Sequence, residues 1–377
     1  MIPLIQLNGA NPVTQFDNAL DAAHVRVVNN GQLDEPYFVR ELITDTTIRA
    51  LNTAAANSYD ENFNIVRFRG GFLHGRPWAV FDAEDNAGNK KTGCRRELAD
   101  ALLVFHLTEQ DGTGAHKIVR RAACLLMFKT SDHVPPNTPS YVPLGASLPS
   151  GTDQEQFYLF NQWPPFDLTT SAKTKIKGKG NYALNSNGNF NIGKYALLWD
   201  AHSMPPLWPQ RWRYADPVAS LQVIDSLGSL LAKLVDSHPT VGESFDPAGA
   251  SDWDHLLEDL LQYTETRFWK GSRSANPAEL SFLSQFETTI ASIGTCMQHA
   301  RLELPFPDRL HLLRHHFPLS HYKSMHSGYS HPTNETEEEG IPVIFASASS
   351  FKSPERGEAP SLQARQNAFF DALRSLS

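Results

Sequence analysis

Cysteine is scarce in this chain: Cys94, Cys124 and Cys296 are all there is among 377 residues. None are spaced as CxxC. That argues against a disulfide framework and against a structural zinc site, and makes a reducing cytosol the expected compartment. No apolar run approaches the roughly 18 residues needed to cross a bilayer, so no membrane partner is expected. Residues Met1 to Phe16 lack the basic stretch followed by an apolar one that marks a signal peptide. Also missing are a GxSxG elbow, a Walker A loop and a dinucleotide-binding GxGxxG. Positive charge is in short supply overall. The formal net charge is −8, which weighs against nucleic acid unless basic residues gather in one cleft.

What remains is an ordinary globular composition, 41% hydrophobic and 20% charged. The length suits two domains, which we expect at 1–200 and 201–377. Within the first half, residues 24–28 suit a short strand. The spacing of Phe38, Leu42, Ile43 and Leu51 predicts one helix over 35–56, with Asp34 as cap and Pro36 in the first turn. Short strands are expected at 63–68 and 78–81, and a polar loop at 82–93. Two continuous apolar runs, 101–107 (ALLVFHL) and 122–128 (AACLLMF), predict strands buried on both faces. The Gly-rich link between them suits an antiparallel hairpin. A helix at 153–163 ends at Pro164-Pro165, and 195–199 reads as another strand. From residue 216 the periodicity predicts helices at 216–238, 252–270, 277–300 and 306–317. An acidic linker is expected near 327–340, a late strand at 341–345 and a terminal helix at 362–376.

The most informative stretch is Arg95-Arg96-Glu97-Leu98-Ala99-Asp100, which sets two carboxylates just before a buried strand. The partner strand ends in Met127-Phe128-Lys129. In a hairpin of this length Asp100 comes near Lys129, and Glu97 can face the same point. Acids beside a lysine at the end of an apolar sheet are costly to assemble. Acids in turns are also common for plain solubility, so the grouping rather than any one residue draws attention.

This pattern, over about residues 35–165, resembles the PD-(D/E)xK superfamily of restriction and repair nucleases. There an Asp opens one strand of a hairpin and an acid-x-Lys triplet lies on the next. Gln154 and Tyr158 are similar to the Gln-x-x-x-Tyr element of RecB-like members. Glu41 lies on the early helix, where some members place a further metal-binding acid. The resemblance implies an α/β N-terminal domain with a restriction-endonuclease-like mixed sheet flanked by helices, beside a mainly α-helical C-terminal half. It implies a metal-dependent nuclease acting on nucleic acid, with DNA the expected polymer, in a bacterial or phage-defence setting. Asp100, Glu97 and Glu41 would hold Mg²⁺ or Mn²⁺, and Asp100, Glu97 and Lys129 would serve the chemistry. Hard cations favour such carboxylate and water oxygens. One departure stands out: Met127 occupies the place of the acid in acid-x-Lys, and a thioether is a poor ligand for a hard cation. Either Glu97 or Glu41 makes up the loss, or the chain is an inactive module that binds nucleic acid or a protein partner through its helical half.

Arg95, Arg96, Gln154 and Tyr158, with the run Lys173, Lys175, Lys177 and Lys179, are the candidate nucleic-acid contacts. A Lys-Gly-Lys-Gly segment can follow a phosphate backbone, and the same alternation suits a lysine-guarded edge strand. Arg120 and Arg121 are expected to add charge near the site. The C-terminal histidines, among them His311 and His315 at i, i+4, lack the acid of a zinc motif and suit a solvent-facing helix end.

Overall fold

In the computed structural model, the described residues are 9–31, 33–59, 64–74, 77–110, 116–131, 148–170, 173, 175–176, 178–184, 191–199, 211–218, 223–246, 248–268 and 340–351. The helices expected at 277–300, 306–317 and 362–376, most of the acidic linker, Lys177 and the C-terminal histidines lie outside them.

Three helices open the chain: α1 (Pro12–Asn29), α2 (Glu35–Glu41) and α3 (Asp45–Ser58). The strand expected at 24–28 is instead the last part of α1. Asn11 caps that helix by accepting the Val13 amide, and Pro12 opens it. Phe16, Leu20, Ala23 and Val27 then recur at helical spacing and are buried. The single helix expected over 35–56 is two. Thr44 interrupts it by taking extended backbone and accepting the Thr47 amide as the cap of α3.

Next come β1 (Asn64–His74), β2 (Trp78–Glu84), β3 (Lys90–Glu97), β4 (Ala101–Gln110), β5 (His116–Ser131), α4 (Thr152–Gln162), β6 (Phe166–Thr169) and β7 (Gly193–Trp199). The polar loop expected at 82–93 is a tight turn at Asp85–Asn89 leading into β3. Asp85 makes that turn by accepting the amides of Ala87 and Asn89. The later described elements are β8 (Trp212–Ala215), β9 (Val223–Ser226), α5 (Leu227–Val235), β10 (Glu243–Ser244), α6 (Asp252–Phe268) and β11 (Gly340–Phe351). The helix expected at 216–238 thus survives only as α5, capped by the Ser226 hydroxyl.

The large mixed sheet runs β1-β11-β4-β5-β7-β8-β9, with β10 added against β5. Strands from both halves of the chain therefore share it, and β11 lies second from one edge, between β1 and β4. The β4–β5 pair is antiparallel. β5 and β7 run parallel, joined by a crossover that contains α4. A second sheet, β3-β2-β6, packs nearby.

Strand alternation divides the core. Leu102, Val104, Leu125 and Met127 face α4, α6 and the small sheet. Ala101, Leu103, Phe105, Leu126 and Phe128 face α1, α3 and α5. Both faces of β4 and β5 are covered, which explains their unbroken apolar runs. Gly193 lets β7 start against α4: a Cβ there would stand 2.8 Å from the Trp163 ring and 2.9 Å from Phe160. Among the described residues no helix is long and apolar enough to span a membrane.

Candidate functional site

β4 begins and β5 ends at the same rim of the large sheet. Carried one residue back, the β4–β5 register sets Asp100 across from Met127, on the face that points toward α4. Asp100 is tied to β5 twice. Its amide donates to the Leu126 carbonyl at 2.9 Å, and its Oδ2 accepts the Phe128 amide at 2.7 Å. Lys129 is diagonal to it on the same face by alternation. From α4, Asp153 approaches the Lys129 ammonium, with Oδ1 3.7 Å from Nζ.

A fourth charged group, absent from the expectation, completes the cluster. Glu35 opens α2 and reaches round the end of β5, where it accepts the Thr130 amide. Its carboxyl titrates at about 7 instead of 4.5. Burial is the first cause and repulsion from Asp100 the second, with Lys129 opposing and Asp153 adding to the rise. Glu35, Asp100, Lys129 and Asp153 thus share one electrostatic field. Glu35 stood between the two residues read as helix-start signals, Asp34 and Pro36. The available cue was an acid in the first turn of the preceding helix.

The other expected site residues are engaged elsewhere. Glu41 is about 9 Å along α2 from Glu35 at helical rise. Its Oε1 accepts from Arg26 Nε at 2.7 Å, with Thr44 and Thr47 hydroxyls beside it, at the junction of the first three helices. Glu97 ends β3 in the small sheet, paired in register with Trp78. Arg95 lies over the Trp78 ring, 4.2 Å from its centroid, and donates to the Thr170 carbonyl at 2.7 Å. Arg96 and Lys91 hold the two oxygens of buried Glu155 on α4, at 2.5 and 2.6 Å. Gln154 accepts the amide and hydroxyl of Ser150. Tyr158 stacks on Phe81 and accepts the Glu84 amide at 3.0 Å. Glu155 and Tyr158 fasten α4 to the small sheet.

Arg120 and Arg121 do not join the cluster. Arg121 is eight residues from Lys129 on one strand, roughly 26 Å at β-strand rise. Lys194 is buried, with its Nζ 2.5 Å from Asp216 Oδ1. Lys173 is exposed, Lys175 pairs with Asp167 at 3.0 Å, and Lys179 pairs with Asp252 at 2.6 Å.

Two carboxylates that repel one another beside a lysine can do two things. They can bind a divalent cation, which relieves their mutual repulsion. They can also place a proton-carrying group next to it. Among the described residues no three His, Cys, Asp or Glu side chains stand close enough to cage a metal ion. Zinc in a closed structural site needs such a cage. Mg²⁺ does not: it keeps several waters and is held by one or two carboxylates together with substrate phosphate. Glu35 and Asp100 are the two carboxylates at this rim that could take that part.

Comparison with known proteins adds no relative: no protein-family profile, no curated protein and no solved structure matches the chain.

Proposed function

We propose that this chain is a metal-dependent nuclease that hydrolyses phosphodiester bonds of nucleic acid, with DNA the expected polymer. The observation that supports the reading best is the grouping of Glu35, Asp100 and Lys129 at the β4–β5 rim. Ligands of α/β sheets commonly bind outside the carboxyl ends of parallel strands, and the rim is that end of the β5–β7 pair. In this reading Glu35 and Asp100 would hold Mg²⁺ or Mn²⁺. When bound, the cation supplies a more acidic water and offsets charge developing on the phosphate. Lys129 would orient the attacking water or stabilise that charge. Asp153 would hold the ammonium in place. Glu35 takes the part left open by Met127, which is buried in the core at 3% exposure. The likeness to PD-(D/E)xK nucleases rests on the same residues and belongs to this proposal.

The test uses purified protein with supercoiled plasmid and linear duplex, with and without Mg²⁺ or Mn²⁺, beside Asp100→Ala and Lys129→Ala. Metal-dependent nicking that both substitutions abolish is expected. Nicking that neither alters removes the assignment.

A second reading is a catalytically inactive relative that binds nucleic acid or a protein partner. The apolar burial of Met127 favours it. Met127→Glu separates the two: cleavage that only the variant performs marks the natural site as degenerate.

A further inference from the structure

The lysine segment is tied down by carboxylates of the chain itself. Three alternate backbone amides along it each donate to a carboxylate. Lys179 donates to Asp259 Oδ2 at 2.9 Å, Asn181 to Asp167 Oδ1 at 2.8 Å and Ala183 to Asp252 Oδ2 at 2.7 Å. The same acids take the side-chain donors. Asp252 pairs with the Lys179 ammonium, Asp167 with Lys175, and Asp259 accepts the Tyr182 hydroxyl at 2.5 Å. Glycine makes the approach possible. A Cβ on Gly178 would fall 2.4 Å from Asp259 Oδ2, and Gly180 turns the chain at φ +67°. Lys175, Gly178, Lys179 and Asn181 are nevertheless exposed.

A row of amides flanked by ammonium groups and spaced by glycine is an anion-binding strip. Its anions here are carboxylates of the chain itself, one from β6 and two from α6. We propose that this strip binds the phosphodiester backbone of nucleic acid, and that Asp252 and Asp259 of α6 occupy its phosphate positions as an autoinhibitory guard. This rests on the nucleic-acid reading above, though not on cleavage. α6 itself stays in place, because Trp253, Leu256, Leu257 and Leu260 are buried in the core. What yields is the two side chains, which must rotate off the strip for phosphates to replace them. Lys179 therefore contributes little to binding while the guard is closed.

The experiment measures binding of a fluorescein-labelled 30-mer, single-stranded and duplex, in EDTA across a salt series. Proteins are the full chain, Asp252→Asn/Asp259→Asn, and that variant with Lys175→Gln and Lys179→Gln. Asparagine keeps an acceptor for each amide and removes only the charge. The guard-neutralised variant should bind roughly tenfold tighter at low salt, with a log–log salt slope steeper by about 1 to 2. The added glutamines should erase both gains. Unchanged affinity and slope in a variant that melts like the parent overturns the proposal. So does a gain that survives the glutamines. If the double variant does not fold, Asp252→Asn alone is read by the same criteria, since Asp252 holds Lys179. Cleavage is not scored, so a chain that binds without cutting sinks the catalytic reading and leaves this one standing.

Discussion

Asp100 Oδ2 accepts the amide of Phe128 at 2.7 Å, which fixes the carboxylate against the stretch of β5 that carries Lys129. This bond gives Asp100 two separable roles. Asp100→Asn keeps an acceptor for the amide and removes the charge. It should melt within about 1 kcal/mol of the parent and lose metal-dependent cleavage. Asp100→Ala also leaves the Phe128 amide without that acceptor and should cost about 1–3 kcal/mol in urea unfolding. Equal destabilisation by both substitutions would contradict the split.

Stability should rise, not fall, on mild acidification. Asp17 is almost fully buried under α5, and its carboxyl titrates at about 6 instead of 3.8. Burial is the main cause, partly offset by the Ser226 hydroxyl and the Gly228 amide. Glu35 titrates at about 7. With the folded pKa above the unfolded one, the native state binds the proton more tightly. The resulting stabilisation is complete below about pH 4 and is lost as pH rises through 6 for Asp17 and 7 for Glu35. Asp17→Asn, which can still accept the Gly228 amide, should flatten the slope below pH 6. It should add on the order of 1–3 kcal/mol at pH 8. Denaturant midpoints at pH 5 and 8 for both proteins test this.

Breaking the buried ion group on α4 should be expensive. Glu155 is 4% exposed and holds both Lys91 and Arg96. Glu155→Ala leaves two cations that can partly rehydrate, so a loss of about 2–4 kcal/mol is expected, near the low end for buried pairs. A calorimetric melt reads it directly. A change under 1 kcal/mol would mean the group holds α4 to β3 only weakly.

Much of the frame was legible where one physical signal dominated. The apolar runs at β4 and β5, the α4 pattern ending in a double proline, and the apolar stretches of β7 and β11 fall in this class. The misreadings have local causes. Residues 24–28 alternate well enough for a strand, but the Asn11–Pro12 cap lies far upstream and organises them as helix. Thr44 cut an otherwise continuous helical spacing. β3 is polar on its outer side and, among the described residues, pairs only with β2, so its sequence reads as loop. The site divides similarly. Asp100 and Lys129 were readable as the ends of two long neighbouring strands. Glu35 was not, because its closeness depends on how α2 meets β5, a contact with no local periodicity. The lysine run was readable as charge, whereas its neutralisation by Asp167, Asp252 and Asp259 depends on how three segments come together in space.

In the proposed reading, Glu35 and Asp100 together hold one divalent cation. Titrating Mn²⁺ into the protein at pH 8, with free Mn²⁺ followed by electron paramagnetic resonance, tests it most directly. One site is predicted, weakened at least roughly tenfold in Glu35→Gln and in Asp100→Asn alike, since each removes half of a two-carboxylate ligand set. Equal Mn²⁺ affinity in the parent and both variants would contradict it.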